Sequence, residues 1–241
     1  MKRIFILVIL VTANAVFAES KDSDKVDLKS LEDKYWAAKD DDFSVVQNRA
    51  YAKENRFFGT IEGGIPINDP YSSGNATSLG VGYHWNERMG VSLVQGSTAY
   101  KDNDATSQFI TDHGTIPNHN ILRSTMTLQY HYIPFYAKMS FLDKKIVYFD
   151  MGVTFGLGQT NYEQQINTGN KSQTGTHTSF ELYQNFFINE HFAIKVSYKN
   201  FWTNEERMRY KLNVGEAESA RSLGVKSIND TQLLLGLTFY K

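Results

Sequence analysis

The sequence predicts an all-β protein, an eight-stranded antiparallel up-and-down β-barrel that crosses a membrane. Three observations predict this fold. From Arg56 onward apolar residues recur with a period of two, as near the chain end, where Leu233, Leu235 and Leu237 share one face. The connections between these alternating segments are short and long in turn. The opposite faces are rich in glycine and small polar residues, which suits the narrow lumen of an eight-stranded barrel.

The first residues have the composition of a secretory signal peptide. Two cations precede an apolar run over residues 4–11, and small residues precede Glu19. This order predicts export and cleavage after Ala18, so residues 1–18 are excluded from the fold. The chain has no cysteine, which excludes disulfides, thiolate chemistry and the lipid-anchored N-terminus of bacterial lipoproteins.

The overall composition fits a membrane barrel although its average looks hydrophilic. Mean hydropathy is −0.41 and the net charge is −1. Alternating strands keep the mean hydropathy low even in a membrane barrel, and the charge gives no electrostatic case for nucleic-acid binding. After the signal peptide, no run of about 18 apolar residues predicts a membrane-spanning helix.

Residues 19–55 differ in pattern from the rest of the chain. Leu28, Leu31 and Tyr35 recur at helical spacing within a charged stretch, which predicts a short amphipathic helix. We interpret residues 19–55 as a periplasmic N-terminal segment that contains this helix. The barrel is predicted to occupy residues 56–241.

Eight alternating segments form the predicted strands. They are residues 56–67, 77–85, 89–100, 121–140, 146–162, 177–188, 191–202 and 230–241. Short turns are expected at 86–88, 142–145 and 189–191, and long polar loops at 68–76, 101–120, 163–174 and 203–227. Pro134 predicts a bulge or strand end, because proline cannot donate to a ladder. The even strand count brings both chain ends to the short-turn side, which is the periplasmic side of such barrels.

The face rich in small and charged residues is predicted to line the lumen, and the leucine face to contact lipid. Glycine on a solvent-exposed strand costs backbone entropy and contributes no packing, whereas a narrow lumen requires small residues. Buried charges require partners. Aromatic residues near both strand ends are expected to form two interfacial girdles. The predicted lumen charge network comprises Glu62, Arg123, Asp150, Glu181, Lys195 and Lys199.

Three segments carry a family resemblance: YWAAKDDDFSVVQNR at 35–49, PFYAKMSF at 134–141 and IVYFDMGVTFGLGQTN at 146–161. They resemble the outer-membrane β-barrel domain family found in δ-proteobacteria, over most of the mature chain. The resemblance implies a small OmpA-like barrel and transfers no catalytic or ligand-binding residue. Outer-membrane proteins commonly end on an aromatic residue that the assembly machinery recognises, and this chain departs from them because Lys241 follows Tyr240.

The spacing of the candidate catalytic and metal-binding residues does not support an active site or a metal site. His177, Ser179 and Glu181 share one strand face, but alternate positions are about 7 Å apart, too far for the hydrogen bonds of a catalytic triad. Asp112, His113 and His119 share a loop, but their spacing matches no helix face or zinc signature. We therefore expect no enzyme, no metal and no cofactor. A lipid-modifying enzyme would need an acid from a neighbouring strand beside His177 and Ser179.

The expected protein is a small barrel of the cell outer membrane with both termini in the periplasm. Its role is expected to be structural or surface-interacting, with a lumen filled by side chains. The alternative is a narrow pore or small-molecule conduit, and a lipid-modifying barrel enzyme is the third hypothesis. Expected partners are outer-membrane lipid and lipopolysaccharide, and the barrel-assembly machinery during insertion. Arg207, Arg209 and Lys211 could contact lipopolysaccharide phosphates, but solvation of this loop is the favoured interpretation. We expect a monomer that binds no nucleic acid.

Overall fold

The computed structural model describes residues 49–141 and 145–241. The predicted signal peptide and the predicted helix after it lie outside the described residues. Among the helices that are described, none combines the length and the apolar character needed to cross a membrane.

Eight antiparallel strands close into a ring, which confirms the predicted fold class. The strands are β1 (Arg56–Pro66), β2 (Ser72–His84), β3 (Met89–Asp102), β4 (Asn120–Phe141), β5 (Lys145–Gln164), β6 (Lys171–Phe187), β7 (Phe192–Met208) and β8 (Ser222–Tyr240). A helix, α1 (Asp104–His113), follows β3, and a 3-10 turn (Glu218–Arg221) precedes β8. Each strand pairs with its sequence neighbours, and β8 pairs with β1, for example at Leu237 and Ile61. Closure satisfies backbone groups that hydrocarbon would leave without hydrogen bonds.

The strands alternate between an apolar outer face and a mostly polar inner face. On β8, Leu235 is 60% exposed whereas Leu234 is 1% exposed. The predicted outward residues Leu233, Leu237 and Phe239 are likewise exposed. This period of two is the pattern a membrane barrel requires, because the outer face contacts lipid.

The two ends of the barrel differ in the length of their connections. We call one end the short-turn end; it holds residues 85–88 and 188–191, the start of β1 and the end of β8. Both of these turns use the same side-chain chemistry. Asn86 Oδ1 accepts hydrogen bonds from the backbone N–H groups two and three residues later, at 2.8 and 2.7 Å. Asn189 Oδ1 accepts from the N–H groups at the same two positions after it, at 2.8 and 2.9 Å. Asparagine side chains stabilise tight turns in this way.

The opposite end, which we call the loop end, has longer strands and shorter loops than predicted. Its connections are residues 67–71, 103–119, 165–170 and 209–221. The sheet thus includes much of the predicted loops at 163–174 and 203–227. Strands β4 and β5 have 22 and 20 residues, about twice the 9–11 that a bilayer crossing needs.

Strand β6 begins at Lys171, before the predicted start at His177, and this extension lies where the outer surface is polar. Thr174 Oγ1 donates to Asn161 Oδ1 at 2.9 Å, and Asn161 Nδ2 donates to Ser124 Oγ at 3.0 Å. These side chains lie on the outer surface, which is apolar farther down the barrel. With polar residues on both faces, the sequence loses its apolar period although the ladder continues.

Helix α1 lies in a segment that the sequence predicts as a polar loop. Asn103 caps its first turn, with Oδ1 accepting from Thr106 N at 3.0 Å. Gly114 ends the helix with φ 64°, and its N–H donates to Ile110 O at 2.8 Å. Caps of this kind stabilise a short helix that has no sustained apolar stripe.

The bulge expected at Pro134 is present. The β4–β5 register shifts between Tyr132 and Phe135, and a second shift lies between Leu122 and Ser124. Beyond the Pro134 bulge, β4 and β5 continue as a hairpin past the last residue pair of β3 and β4, at Met89 and Tyr132.

The lumen is tightly packed beside Gly152 on β5. A Cβ atom added at Gly152 would lie 2.4 Å from Cζ of Tyr183, whereas one added at outward-facing Gly63 would meet nothing within 4 Å. Replacing Gly152 by valine should therefore destabilise the barrel by about 1–3 kcal/mol through overpacking. Gly63→Val is the matched control and should be neutral or stabilising. Urea unfolding in lipid vesicles measures both, and equal stability of the two variants would contradict the tight packing described.

Candidate functional site

Four charged side chains meet in the middle of the lumen and form what we call the charge cluster: Glu62 on β1, Glu181 on β6, and Lys195 and Lys199 on β7. Lys195 Nζ lies 2.5 Å from Glu181 Oε1 and 3.3 Å from Glu62 Oε1. Lys199 Nζ lies 3.5 Å from Glu181 Oε2 and 3.8 Å from Glu62 Oε2. Each ammonium therefore contacts both carboxylates, and the formal charges of the four groups cancel.

The strand register explains how β1 and β7 make contact although β8 lies between them. Glu62 is paired with Gly236, and Gly236 is paired with Lys195. A Cβ atom at position 236 would lie 2.7 Å from Cγ of Glu62. The missing side chain at Gly236 thus leaves the space through which Lys195 reaches Glu62. On the other side of β7, Lys199 is directly opposite Glu181.

Neutral groups complete the hydrogen bonding of the two carboxylates. Ser197 Oγ and Ser78 Oγ donate to Glu62 at 2.7 and 2.9 Å. Gln129 Nε2 donates to Glu181 Oε2 at 3.2 Å. Buried ion pairs are stable only when the desolvated atoms gain such additional partners. The charge cluster and its neighbours thus form a polar layer across the lumen.

Next to the charge cluster, on the side of the short-turn end, lies a layer of aromatic rings. Phe58 stacks on His84 with ring centroids 4.6 Å apart, and His131 contacts Phe58 edge-on at 5.4 Å. Ser92 Oγ lies 2.7 Å from His131 Nε2, and Tyr183 OH lies 3.3 Å from His131 Nδ1. The cavity among these rings measures about 10 Å³, which is room for about one water molecule.

The short-turn end is closed by a residue that precedes the first strand. The Lys53 ammonium is 1% exposed and forms an ion pair with Asp150. It also lies 5.4 Å from the ring centroid of Phe187 and 5.6 Å from that of Tyr240. Burial lowers the pKa of Lys53, and the Asp150 carboxylate opposes this shift. We call Lys53, Asp150, Phe187 and Tyr240 the short-turn seal.

Glu87 in the turn after β2 holds the segment that carries Lys53. Its carboxylate accepts hydrogen bonds from the backbone N–H groups of Lys53 and Glu54 at 3.1 and 3.2 Å. Arg49 forms an ion pair with the same carboxylate at 3.1 Å. Tyr51 packs against Phe187 at a centroid distance of 5.3 Å. The segment is therefore attached to the rim and inserts one side chain into the lumen.

The residues considered for catalysis are engaged separately. His177 Nε2 lies 2.9 Å from Thr127 Oγ1, and His177 Nδ1 lies 2.7 Å from Thr160 Oγ1. Within the described part of the chain, Ser179 Oγ has no hydrogen-bond partner. Glu181 belongs to the charge cluster. The three side chains thus share a face of β6 without the contacts of a nucleophile, a base and an orienting acid.

The residues considered for metal binding do not converge either. His113 lies in α1, where its Nδ1 is 3.2 Å from Phe109 O, and His119 Nδ1 is 3.0 Å from Pro117 O. Within residues 49–141 and 145–241, no three histidine or carboxylate side chains are arranged to hold a metal ion.

The structure separates the six residues of the predicted lumen network. Glu62, Glu181, Lys195 and Lys199 come together. Asp150 faces the lumen but pairs with Lys53, away from the charge cluster.

Arg123 lies outside the lumen, contrary to the prediction. Its side chain is 41% exposed and pairs with Glu163 at 2.6 Å. The cause is the register shift between Leu122 and Ser124, which interrupts the alternation of faces on β4.

Lys53 was not among the predicted lumen residues. It precedes β1, in a stretch without a period of two, so no strand pattern indicates where its side chain points.

Comparison with known proteins identifies a family. Residues 43–239 match the model described as an outer membrane protein beta-barrel domain. The N-terminal β-barrel domain of Pseudomonas aeruginosa OprF is 13% identical, with 78% of this chain and 98% of that chain covered and a TM-score of 0.46. Neisserial surface protein A is 10% identical, with coverages of 77% and 99% and a TM-score of 0.44. No curated protein sequence matches the chain.

Removing one charge from the charge cluster should be far more costly than removing an exposed one. Glu181→Gln leaves a lysine uncompensated in the lumen, which we expect to cost about 3–5 kcal/mol of unfolding free energy. The matched control Glu163→Gln removes the partner of exposed Arg123 and should cost about 0–1 kcal/mol. Urea unfolding in lipid vesicles compares the two. Similar losses in both variants would contradict a desolvated cluster.

Proposed function

Because the chain belongs to the outer membrane β-barrel domain family, we propose that it is a closed, non-enzymatic barrel with a structural or surface-interacting role. Its location is the cell outer membrane, as for the family. One observation carries the proposal: the charge cluster and the short-turn seal lie one after the other across the lumen.

The charge cluster and the short-turn seal oppose the passage of ions and solutes for different reasons. An ion crossing the charge cluster would have to separate buried ion pairs, and breaking such a pair costs about 3–5 kcal/mol. At the short-turn seal, Lys53 occupies the space between the rings of Phe187 and Tyr240. The cavity of about 10 Å³ between the two layers is too small for a hydrated ion. These features favour a filled lumen over a narrow pore.

The proposed orientation places the short-turn end in the periplasm and the loop end outside the cell. Long connections and long strands in outer-membrane barrels lie on the outer side, and short turns on the periplasmic side. The polar outer surface near Asn161 and Thr174 supports this placement, since it would stand above the bilayer. In the membrane, the partners would be lipid along the apolar band and lipopolysaccharide phosphates near Arg207, Arg209 and Lys211.

The same proposal includes a monomer, inserted by the barrel-assembly machinery. Ring closure supports a monomer, because the pairing of β1 with β8 leaves neither strand with an open edge for a second chain.

A planar bilayer experiment tests the closed lumen. The mature chain is refolded in detergent, and folding is verified by the heat-sensitive mobility of the folded band. We expect no discrete conductance steps after insertion, because both layers remain in place. Stable single-channel steps from folded protein would refute the filled lumen and favour the conduit.

Opening the barrel should require removal of both layers. One charge-balanced pair of substitutions, Glu62→Ala with Lys199→Ala, reduces the charge cluster, and a second, Lys53→Ala with Asp150→Ala, removes the ion pair of the seal. We expect neither pair of substitutions alone to produce discrete conductance, because each leaves the other barrier, the Glu181–Lys195 ion pair and the ring-lined cavity of about 10 Å³ in place. Arg123→Ala with Glu163→Ala is the matched control outside the lumen and should not conduct. Conductance from the Lys53→Ala, Asp150→Ala protein alone would show that the charge cluster is not a barrier.

A further inference from the structure

A cleft of about 520 Å³ opens at the loop end, away from the lumen. One wall consists of Phe109 and His113 on α1 with residues 114–118. The other wall consists of Arg209 and residues 211–214, in the connection between β7 and β8. This volume lies within the roughly 300–1,000 Å³ that small-molecule sites occupy.

Hydrogen bonds between loops hold the two walls at a fixed distance. Asn118 Oδ1 accepts from Tyr210 N at 2.7 Å, which joins one wall to the other. The guanidinium of Arg221, which is 3% exposed, donates to the backbone oxygens of Arg209 and Tyr210 at 3.2 and 2.9 Å. It also donates to Asn167 Oδ1, in the loop after β5, at 3.0 Å. The cleft is therefore preformed, which reduces the entropic cost of binding a ligand.

The Arg221 side chain is itself fixed by a carboxylate. Glu218 accepts from its Nε and NH2 groups at 2.8 and 3.0 Å, a bidentate pairing. This hydrogen bonding lowers the pKa of Glu218, so the carboxylate stays ionised over the ordinary pH range. The hydrogen bonds by which Arg221 joins the loops are therefore not sensitive to pH near neutrality.

The residues that line the cleft favour an anion. They include Arg209 and Lys211 and no aspartate or glutamate. Arg209 shares its charge with Glu216, 3.6 Å away at the edge of the cleft. Among the described residues, no carboxylate oxygen lies within 4.0 Å of the Lys211 ammonium. Lys211 is thus available to a negatively charged ligand.

The remaining lining groups favour a ring with hydroxyl groups over an acyl chain. Phe109 and His113 stack with centroids 4.3 Å apart and an interplanar angle of 18°, and they present an aromatic surface. Thr115, Asn118 and Asn213 make the lining partly polar, although Asn118 Oδ1 accepts from Tyr210 N and Asn213 Nδ2 donates to Glu216. Apolar surface combined with a few polar groups and charges is typical of sites that orient a small polar ligand.

We propose that this cleft binds an anionic saccharide. Its carboxylate or phosphate groups pair with Lys211 and Arg209, and a sugar ring lies against the Phe109–His113 pair. The proposal deepens the surface-interacting role proposed for Arg209 and Lys211, on which it rests, and does not depend on whether the lumen conducts. A failure here would leave the conductance result unchanged, and the reverse also holds.

Calorimetric titration of the folded protein in detergent tests the proposal. The probes are trigalacturonate, its methyl ester, and phosphorylated core oligosaccharide released from lipopolysaccharide. We expect binding of at least one anionic probe, and the tighter of the two identifies the source of the sugar. The ester has the same rings without charge and should bind at least about tenfold more weakly.

Matched variants locate the site. Lys211→Gln should weaken binding of the anionic probe by about tenfold, since it removes a charged hydrogen-bond donor. Lys101→Gln removes an exposed cation outside the cleft lining and should leave the affinity unchanged. The heat-sensitive mobility of the folded band verifies that both variants fold. Absence of binding by both anionic probes, equal binding of the ester, or equal loss in the two variants would each overturn the proposal.

Discussion

The hydrogen-bonded pairing of β1 with β8 is the constraint on which the rest of the structure depends. Inside a bilayer, an unpaired strand edge would expose backbone N–H and C=O groups to hydrocarbon, at several kcal/mol for each group. Closing the sheet removes both edges at once. It also separates two environments that differ sharply, because one face of every strand meets lipid and the other a lumen about one side chain deep. The alternation along β8 from exposed Leu235 to buried Leu234 follows directly from that separation.

The same closure makes the lumen a place where polar groups must satisfy each other. Lys195 and Lys199 on one strand balance two carboxylates that come from β1 and β6, so residues distant in sequence form one neutral unit. Glycine is what permits this geometry. At Gly236 the absent side chain opens the route from Lys195 to Glu62, and at Gly152 it makes room for the ring of Tyr183. Glycine in these strands is therefore a packing element of the lumen, although in an exposed strand it would be a cost.

The sequence predicts the barrel well because each strand that faces lipid must repeat the same apolar period. The strand number and the outward leucines follow from that period alone, and the family prediction is confirmed at the level of the outer-membrane β-barrel domain. What the period cannot show lies where lipid contact ends. The extensions of β5 and β6 at the loop end are polar on both faces, and α1 depends on two caps.

The candidate site was predicted in part for a similar reason. Glu62, Glu181, Lys195 and Lys199 lie on the inward faces of regular strands, so the alternation of faces correctly places all four in the lumen. Arg123 follows a shift in register, which reverses the direction expected from alternation. Lys53 precedes the first strand, so its position depends on the shape of the rim and on Glu87 in a distant turn. Long-range contacts of this kind leave no local pattern in a sequence.

The short-turn seal has a consequence for the order of assembly. Lys53 meets groups on β5, β6 and β8, so its binding site exists only after the last strand has joined the ring. The complete site therefore requires the closed ring, since Tyr240 belongs to β8. Until Lys53 is in place, the lumen of a closed ring would be accessible from the short-turn end. Insertion of the Lys53 side chain would then close the short-turn end, with the residues directly before β1 held at the rim by Glu87.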